Sequence, residues 1–251
     1  MLVNNTITKL QEMRLSVMAQ EFQVQLGNRD IGAMSFEERF SMLVDSEWNT
    51  RKNNRMTRLI KSANYPCPDV SIEDIEYHAD RKLDKAFIAR LGMCEYIRDH
   101  YNVIILGATG SGKTYIASAL GMAANRRFFS VKYIRLPDML TDLAIGRSDG
   151  SYKKVLKSYK QIELLILDEW LLYPLKDVDA RELLEITEAR YSKASTIFCS
   201  QFDVPGWHQK IGETTLADAI CDRIVHDSYR IIIGGEDSMR QRKGLKNNKG
   251  K

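Results

Sequence analysis

The chain has 251 residues, of which 44% are hydrophobic and 28% are charged, and its formal net charge is +4. This length can bury the core of one full globular domain and leaves residues for a smaller one. No apolar run approaches the roughly 18 residues that cross a bilayer, and the N-terminus lacks the order of a signal peptide. We therefore expect a cytoplasmic protein with no membrane partner, and the net charge alone is too small to predict nucleic-acid binding.

Helical patterns dominate the N-terminal part of the chain. Apolar residues at helical spacing between residues 6 and 26 predict one helix, which Gly27 and Asn28 end. Ser35 and Glu38 have the spacing of a capping box, so a second helix should begin there. Its apolar residues recur on one side and are Phe36, Phe40, Leu43, Val44 and Trp48.

A basic run follows this apolar pattern. No acidic residue occurs from Trp48 to Pro68, while five basic residues fall within eleven positions. Such a run is either solvated charge or a surface for the phosphates of a nucleic acid. If the helix continues through the run, several of these side chains share one face. The candidate DNA contacts in this run are Arg51, Lys52, Arg55 and Arg58.

Two prolines, Pro66 and Pro68, mark the best candidate for a linker, because proline does not continue a helix. We place the domain boundary there. The prediction is a helical domain over residues 1–68 that binds DNA or a partner, a larger domain over 69–240 and a basic tail over 241–251. Mixed charges and apolar residues between positions 72 and 101 predict two short helices before the larger domain's first strand.

The stretch from Gly107 to Thr114 carries the most informative motif. A strand pattern over Asn102–Leu106 precedes it and a helix pattern over Tyr115–Ala124 follows it. Glycines let such a loop turn tightly and point successive N–H groups at an anion, with the positive end of the helix behind them. We expect Lys113 on the β and γ phosphates of a nucleotide, and Thr114 on a Mg²⁺ ion that bridges them. The predicted loop residues are Gly107, Ala108, Thr109, Gly110, Ser111, Gly112, Lys113 and Thr114.

Beyond this motif, the pattern predicts a strand over Phe128–Ile134, a helix over Leu136–Leu143 and a mobile loop over Ile145–Gly150. A basic helix with two tyrosines should follow over Tyr152–Lys160. It is either a nucleic-acid contact or a solvated helix face. Its candidate DNA-binding residues are Lys153, Lys154 and Lys157.

An acidic pair follows the apolar run Leu164–Leu167, which has the pattern of a buried strand. Side chains at the carboxyl end of a parallel strand point into the crevice where open α/β sheets bind ligands. Asp168 could therefore hold the Mg²⁺ shell, and Glu169 could polarise the attacking water. The alternative is that both residues only cap the next segment.

Strand and helix patterns continue to alternate in the rest of the chain. This alternation predicts an α/β fold, with a parallel sheet covered by helices on both faces. The predicted elements are a helix over Ala180–Ser192, a strand over Thr196–Ser200, a helix over Leu216–His226 and a strand over Tyr229–Ile233.

Several local signatures together match one family. The chain resembles the IstB-like ATP-binding proteins, helper ATPases of insertion-sequence transposition that are related to DnaC-type helicase loaders within the AAA+ ATPases. The signatures that carry this resemblance are Phe36–Phe40, Asp45–Trp48 with Arg51, Gly107–Thr114, Leu164–Glu169, Arg190-Tyr191, Ser200-Gln201 with Trp207, Asp222-Arg223-Ile224 and Gly234–Arg240.

The resemblance implies an AAA+ P-loop NTPase core behind a small all-α N-terminal domain. It implies ATP hydrolysis with Mg²⁺, a homo-oligomer on duplex DNA with ATP at subunit interfaces, and cooperation with the transposase of the same element. Gln201 then matches the polar sensor of the γ-phosphate, Arg223 the arginine that enters the neighbouring subunit's site, and Arg240 a second sensor that binds the nucleotide. The alternative for Arg223 is an intrachain salt bridge with Asp222 or Asp227.

Two other functions remain open on these motifs. A replicative helicase loader would share the same core but prefer single-stranded DNA and a helicase partner. A small-molecule kinase would use the same loop, although Glu169 directly after Asp168 suits the activation of water better than phosphate transfer to an acceptor.

Overall fold

The computed structural model describes residues 2–28, 31–67, 69–235 and 238–242. Contacts divide the chain into two compact units, residues 1–58 and residues 59–251. No helix in the described ranges is long and apolar enough to cross a membrane. The division falls before the predicted linker at Pro66 and Pro68, and Pro68 lies outside the described residues. The proposed domain boundary therefore stays a prediction.

Helices α1 (Leu2–Glu12) and α2 (Ser16–Gly27) begin the first unit. The prediction of a single helix over residues 6–26 was wrong, because the chain turns between these two helices. Arg14 has φ 60°, in the left-handed region, and the Leu15 N–H bonds the Leu10 carbonyl at 2.8 Å. The apolar residues at helical spacing are Leu15, Met18, Phe22 and Leu26, which lie at the end of this turn or beyond it and so did not reveal it.

Helix α3 (Phe36–Ala63) begins at the predicted capping box. The Ser35 N–H donates to Glu38 Oε2 at 2.9 Å, and the Glu38 N–H donates to Ser35 Oγ at 3.2 Å. Both bonds satisfy N–H groups that a helix start leaves without partners, so the prediction is confirmed. The basic run continues this helix.

The predicted apolar stripe of α3 is buried at only one of its positions. Leu43 is 8% exposed, whereas Phe36, Phe40, Val44 and Trp48 are each at least 40% exposed. Steps of four residues advance about 400° around a helix, so each lies about 40° beyond the last. Val44 and Trp48 therefore lie about 100° and about 140° around the helix from Leu43. Phe36 and Phe40 lie closer to its face, at the start of the helix, where their rings stack on each other.

A parallel sheet organises the second unit. Its five strands have the order β2-β3-β4-β1-β5, and each neighbouring pair is parallel. The predicted parallel sheet is confirmed. The strands are β1 (Asn102–Gly107), β2 (Val131–Arg135), β3 (Leu164–Asp168), β4 (Ser195–Ser200) and β5 (Ser228–Ile233).

Helices cover both faces of this sheet, as predicted. Side chains alternate along β1, so Val103 and Ile105 join one core cluster while Ile104 joins the other. Helices α4 to α6 pack in the first cluster, and α7 to α11 pack in the second. The helices are α4 (Lys85–Leu91), α5 (Glu95–Arg98), α6 (Lys113–Arg126), α7 (Leu136–Asp149), α8 (Tyr152–Gln161), α9 (Asp177–Arg190), α10 (Val204–Ile211), α11 (Thr214–Val225) and α12 (Met239–Arg242).

The prediction of a loop over Ile145–Gly150 was wrong, because α7 continues to Asp149. The glycine that suggested a loop serves packing instead. A Cβ on Gly146 would lie 3.0 Å from the Cα of Tyr152, where α8 begins. The missing side chain therefore lets the two helices approach closely.

Two other boundaries also differ from the prediction. Strand β2 begins at Val131 and not at Phe128, because Phe128 has φ 66° and its N–H still bonds the Asn125 carbonyl at the end of α6. Helix α10 was not predicted. Its start is capped by Asp203, whose side chain accepts from the Gly206 N–H, and a proline stands in its first turn.

Candidate functional site

The loop from Gly107 to Thr114, hereafter the phosphate loop, joins β1 to α6. Gly110 has φ 79° and Gly112 has φ 97°, conformations that other residues seldom adopt. A Cβ on Gly107 would lie 2.7 Å from Ser111 Oγ, a distance that real Cβ atoms do not show. The geometry therefore favours glycine at each of the three positions.

Lys113 reaches back over this loop. Its Nζ donates to the carbonyl of Gly107 at 2.7 Å and to that of Ala108 at 2.9 Å. Burial lowers the pKa of Lys113, and the neighbouring Cys199 and Asp168 oppose that shift. The two acceptors of its ammonium group are neutral carbonyls, and the group lies at the mouth of a loop built for an anion.

Asp168 lies beside the phosphate loop although 54 positions separate it from Thr114. The Thr114 hydroxyl donates to Asp168 Oδ2 at 2.6 Å, and the Tyr133 hydroxyl donates to the same oxygen at 2.7 Å. The Glu169 N–H donates to Asp168 Oδ1 at 2.8 Å. The structure therefore brings together the two predicted metal ligands.

These ligands fit a magnesium ion in their chemistry. Mg²⁺ prefers oxygen and is usually bound by one or two carboxylates together with phosphates and water, rather than by a full cage of side chains. Thr114 and Asp168 supply one hydroxyl and one carboxylate. No group of three or more His, Cys, Asp or Glu side chains that could hold a metal occurs within the described ranges.

A cavity of about 100 Å³ lies on the acidic side of the loop. Glu169 borders it, in the left-handed conformation with φ 53°, and its carboxylate is 3.8 Å from Arg135. Gln201 also borders it, and its Oε1 accepts from the Thr109 hydroxyl at 2.8 Å. The predicted water-activating and sensing residues thus surround one small space beside Lys113.

A second cavity, of about 450 Å³, also borders the loop. Its size falls within the range of small-molecule sites. Gly110, Lys113 and Thr114 line both cavities, so the two share the loop as a common wall. The remaining residues of the larger cavity are Pro66, Cys67, Asp74, Glu76, Arg81, Gly112, Tyr115 and Met239.

Comparison with known proteins identifies the family. The family model for IstB-like ATP binding proteins matches residues 8–247. The insertion sequence ATP-binding protein y4pL of Sinorhizobium fredii is 38% identical over 97% of this chain and 99% of its own length. A second protein of that organism, y4uH, is 40% identical over 96% of this chain and 97% of its own length.

The chain belongs to the IstB-like ATP-binding protein family.

Solved structures show the fold of this IstB-like protein. DnaI has a TM-score of 0.58 at 20% identity, over 72% of this chain and 99% of that one. AMPPCP-bound DnaA from Aquifex aeolicus has a TM-score of 0.56 at 21% identity, over 69% of this chain and 52% of that one. The predicted AAA+ P-loop fold is therefore confirmed.

Arg223 lies away from the phosphate loop of its own chain. Its Nη2 is 2.8 Å from Glu188 Oε1 on α9, and its Nη1 donates to the Ala219 carbonyl at 2.8 Å. The sequence predicted as an alternative a salt bridge with Asp222 or Asp227. That alternative was wrong about the partner, because Arg223 pairs with Glu188. Among the described residues that line the two cavities beside the loop, Arg223 does not occur.

The basic side of α8 in this IstB-like protein faces outward. Leu156 and Tyr159 are buried, while Lys153, Lys154 and Lys157 are exposed. The predicted basic helix is confirmed, and its role in binding DNA stays a prediction.

The basic run on α3 contains one residue with a structural role. Arg51 forms an ion pair with Glu47 and donates to the Arg14 carbonyl. Burial opposes ionisation of Glu47, but hydrogen bonds from the Met18 N–H and from Arg51 lower its pKa. Arg51 thus helps to join α3 to the start of α2, whatever else it binds. The other predicted DNA contacts on this helix, all exposed, are Lys52, Arg55 and Arg58.

The predicted second sensor, Arg240, belongs to α12, but its side chain lies outside what the structure describes. Residues 243–251 of the predicted basic tail also lie outside the described part. The roles of Arg240 and of the tail therefore stay predictions.

Sequence reasoning missed Tyr133 and Arg135, both on β2. Strand β2 pairs with β3, and Arg135 lies opposite Asp168 in the register. Side chains near the carboxyl ends of neighbouring parallel strands meet at one edge of the sheet, so the predicted strand could have indicated them. The strand order was needed to know that β2 neighbours β3.

Proposed function

We propose that this protein is an ATPase that assembles on duplex DNA and assists the transposase of an insertion sequence. Family membership supports ATP binding. The observation that supports hydrolysis is that Thr114, Asp168 and Glu169 line the same small cavity as the phosphate loop. An acidic pair in that position suits the activation of water.

Each side chain at the site has a separate role in ATP binding or hydrolysis. Lys113 leaves its two carbonyl acceptors and binds the β and γ phosphates, while Thr114 and Asp168 would hold Mg²⁺. When bound, Mg²⁺ neutralises charge that develops on the phosphates. Glu169 orients and polarises the attacking water, and Gln201 registers the γ-phosphate from the end of β4.

Arg223 acts on the ATP of a neighbouring subunit. The adjacent residue Ile224 accepts from Asn102 Nδ2 at 3.5 Å, which places α11's last turn near the amino end of β1. The phosphate loop follows the carboxyl end of the same strand, roughly 16 Å away at the usual rise of about 3.3 Å per residue. One side chain does not span that distance, which supports contribution in trans.

Duplex DNA is the proposed partner on which the subunits assemble. Contacts made by exposed lysines and arginines go mainly to phosphates, so binding is weakly selective for sequence and sensitive to salt. The relatives are named as insertion sequence proteins, which supports the transposase of the same element as partner. The exposed basic residues are Lys153, Lys154 and Lys157 on α8, and Lys52, Arg55 and Arg58 on α3.

Assembly should depend on a working phosphate loop. We expect the parent protein to form oligomers on duplex DNA with ATP, and Lys113→Ala to fail, because the variant lacks the cation that binds the phosphates. Sedimentation or light scattering with and without DNA measures this. Equal assembly of the two proteins on DNA would contradict the proposal.

Competition between duplex and single-stranded DNA separates the transposition role from that of a helicase loader. Preference for duplex supports the proposal. Preference for single strands, together with a shift on adding a replicative helicase, would favour the loader instead. ATP turnover that requires a small acceptor and ignores DNA would favour a kinase.

The two basic surfaces can be compared at equal charge. One variant carries glutamine at the three lysines of α8 named above, and the other carries it at Lys52, Arg55 and Arg58. Arg51 stays in place because it joins α3 to α2. The slope of log affinity against log salt should become shallower by about 0.9 for each phosphate that a variant no longer neutralises. The variant with the shallower slope identifies the DNA surface, and unchanged slopes in both variants would place the DNA elsewhere.

A further inference from the structure

A buried guanidinium lies against the phosphate loop, and sequence reasoning had not included it in the site. Arg81 ends the 3₁₀ turn Ala79–Arg81 and is 5% exposed. Its Nη2 donates to the Ser111 carbonyl at 2.8 Å, and its Nη1 donates to the Glu76 carbonyl. Arg81 also lines the cavity of about 450 Å³ that opens beside the loop.

The charge of Arg81 has no direct anionic partner in its hydrogen bonds. Both acceptors are neutral carbonyls, and its Nε is buried with no hydrogen-bond partner in the described part of the chain. Burial lowers the pKa of Arg81, although the carboxylates of Glu76 and Asp80 oppose that shift. A buried cation and an unsatisfied buried donor both disfavour the folded state unless a ligand satisfies them.

The position of Arg81 indicates a phosphate group as its ligand. A Cβ on Gly112 would lie 2.8 Å from Arg81 Nη2, so the guanidinium lies directly over the turn that starts α6. The N–H groups of that first helical turn are the ones that bind phosphate in such a loop. Arginine presents a fork of donors that matches phosphate oxygens, and it stays charged at neutral pH.

We propose that Arg81 is a second cationic ligand of the nucleotide, which donates from its guanidinium to a phosphate oxygen in the larger cavity, whose lining includes Arg81 and not Asp168. The proposal rests on ATP binding at the phosphate loop. Lys113 and Arg81 then both hold the phosphate chain with positive charge.

The surroundings of Arg81 connect this contact to the end of the chain. The Arg81 carbonyl accepts from the Gly234 N–H at 2.9 Å, and the neighbouring Asp80 forms an ion pair with Arg242. The Met239 N–H donates to the Gly110 carbonyl at 2.9 Å. A phosphate held by Arg81 therefore joins the loop, the 3₁₀ turn and α12 in one set of contacts.

The test compares Arg81→Met and Arg81→Lys with Lys82→Met, a neighbouring exposed cation outside the cavity lining. The dissociation constants for ATP and ADP and the Tm with and without nucleotide are measured for each protein. We expect Arg81→Met to bind ATP about 10- to 100-fold more weakly, the size of effect expected when hydrogen bonds to a charged group are removed. Arg81→Lys should be intermediate, because a point charge replaces the fork. Lys82→Met should match the parent.

The nucleotide-free Tm separates ligand binding from a structural role. Arg81→Met removes a buried charge but also leaves the Ser111 and Glu76 carbonyls without this donor, so the nucleotide-free Tm should change little, while the rise in Tm on adding ATP should shrink. A fall in the nucleotide-free Tm, with affinities in Arg81→Lys equal to those of the parent, would mark Arg81 as structural and overturn the proposal.

The same binding measurements distinguish an error in the proposed ATP site from an error in the role of Arg81. If neither the parent nor Lys113→Ala bound ATP, the proposed nucleotide site would be contradicted, and the proposal for Arg81 would be contradicted as well. If the parent bound ATP, Lys113→Ala did not, and Arg81→Met bound as tightly as the parent, only the proposal for Arg81 would be overturned.

Discussion

Replacing Glu169 with glutamine is expected to slow ATP hydrolysis by about 10²- to 10⁴-fold while ATP still binds. Glutamine keeps the shape of the side chain but cannot accept the proton of the attacking water. Glu169 borders the small cavity beside the loop, and its carboxylate lies 3.8 Å from Arg135, which is on β2 and not in the loop. The nucleotide-binding groups therefore stay in place when its charge is removed.

Phosphate release and the ATP dissociation constant, measured on the same protein, check this expectation. Glu185→Gln is a matched control, because it makes the same chemical change on α9, where Glu185 pairs with Lys160 away from both loop cavities. A Glu169→Gln protein that hydrolyses ATP at the parent rate would remove Glu169 from the mechanism. The variant should also hold its oligomer on DNA longer than the parent, since ATP persists.

Replacing Arg223 with alanine is expected to lower hydrolysis in the DNA-bound oligomer by about 10³- to 10⁵-fold, the range measured for arginine fingers in other enzymes. The guanidinium stabilises charge that develops on the neighbouring subunit's phosphates. In the single chain it pairs with Glu188 at 2.8 Å, so assembly must exchange that carboxylate for a phosphate.

Mixing two inactive variants tests whether Arg223 acts in trans. Arg223→Ala subunits keep Glu169, and Glu169→Gln subunits keep the arginine and still bind ATP, so both can enter the oligomer. In a mixed oligomer, some interfaces combine an intact nucleotide site from one subunit with an intact Arg223 from its neighbour. Hydrolysis should therefore return on mixing. No recovery in oligomers shown to contain both variants would contradict a shared site.

Glu188→Gln separates this role from an intrachain salt bridge. If Arg223 serves only to pair with Glu188, the glutamine variant should lose activity and stability as Arg223→Ala does. If Arg223 enters the neighbouring site, removing its competitor on α9 should leave the rate unchanged or raise it. The two roles thus predict opposite results for one conservative change.

Local patterns predicted local structure well. The capping box at Ser35 and Glu38 forms as expected, because its two hydrogen bonds join groups three residues apart. The apolar run before Asp168 becomes β3, buried at every position. Where a distant contact decided the outcome, the same reasoning failed. Gly146 suggested a loop, but the close approach of Tyr152 explains the glycine within α7.

The site was only partly predictable for the same reason. The phosphate loop and the Asp168–Glu169 pair follow strands recognisable in the sequence. Tyr133 and Arg81 belong to no recognisable motif, although Tyr133 lies within a predicted strand. Tyr133 acts through the pairing of β2 with β3, and Arg81 reaches Ser111 from 30 positions earlier.

The anion site could be predicted from a strand, a glycine-rich turn and a helix in sequence, since neighbouring residues form that site through their own backbone. The residues that surround it are brought there by contacts between distant segments. In the order β3-β4-β1, Gln201 follows the strand next to the one that carries the loop, and Asp168 ends the strand beyond it. Arg223 lies near the opposite ends of the strands, because α11 runs back across the sheet before β5. Residues far apart in the chain meet where the parallel strands end together, and that meeting depends on strand order, which no single segment encodes.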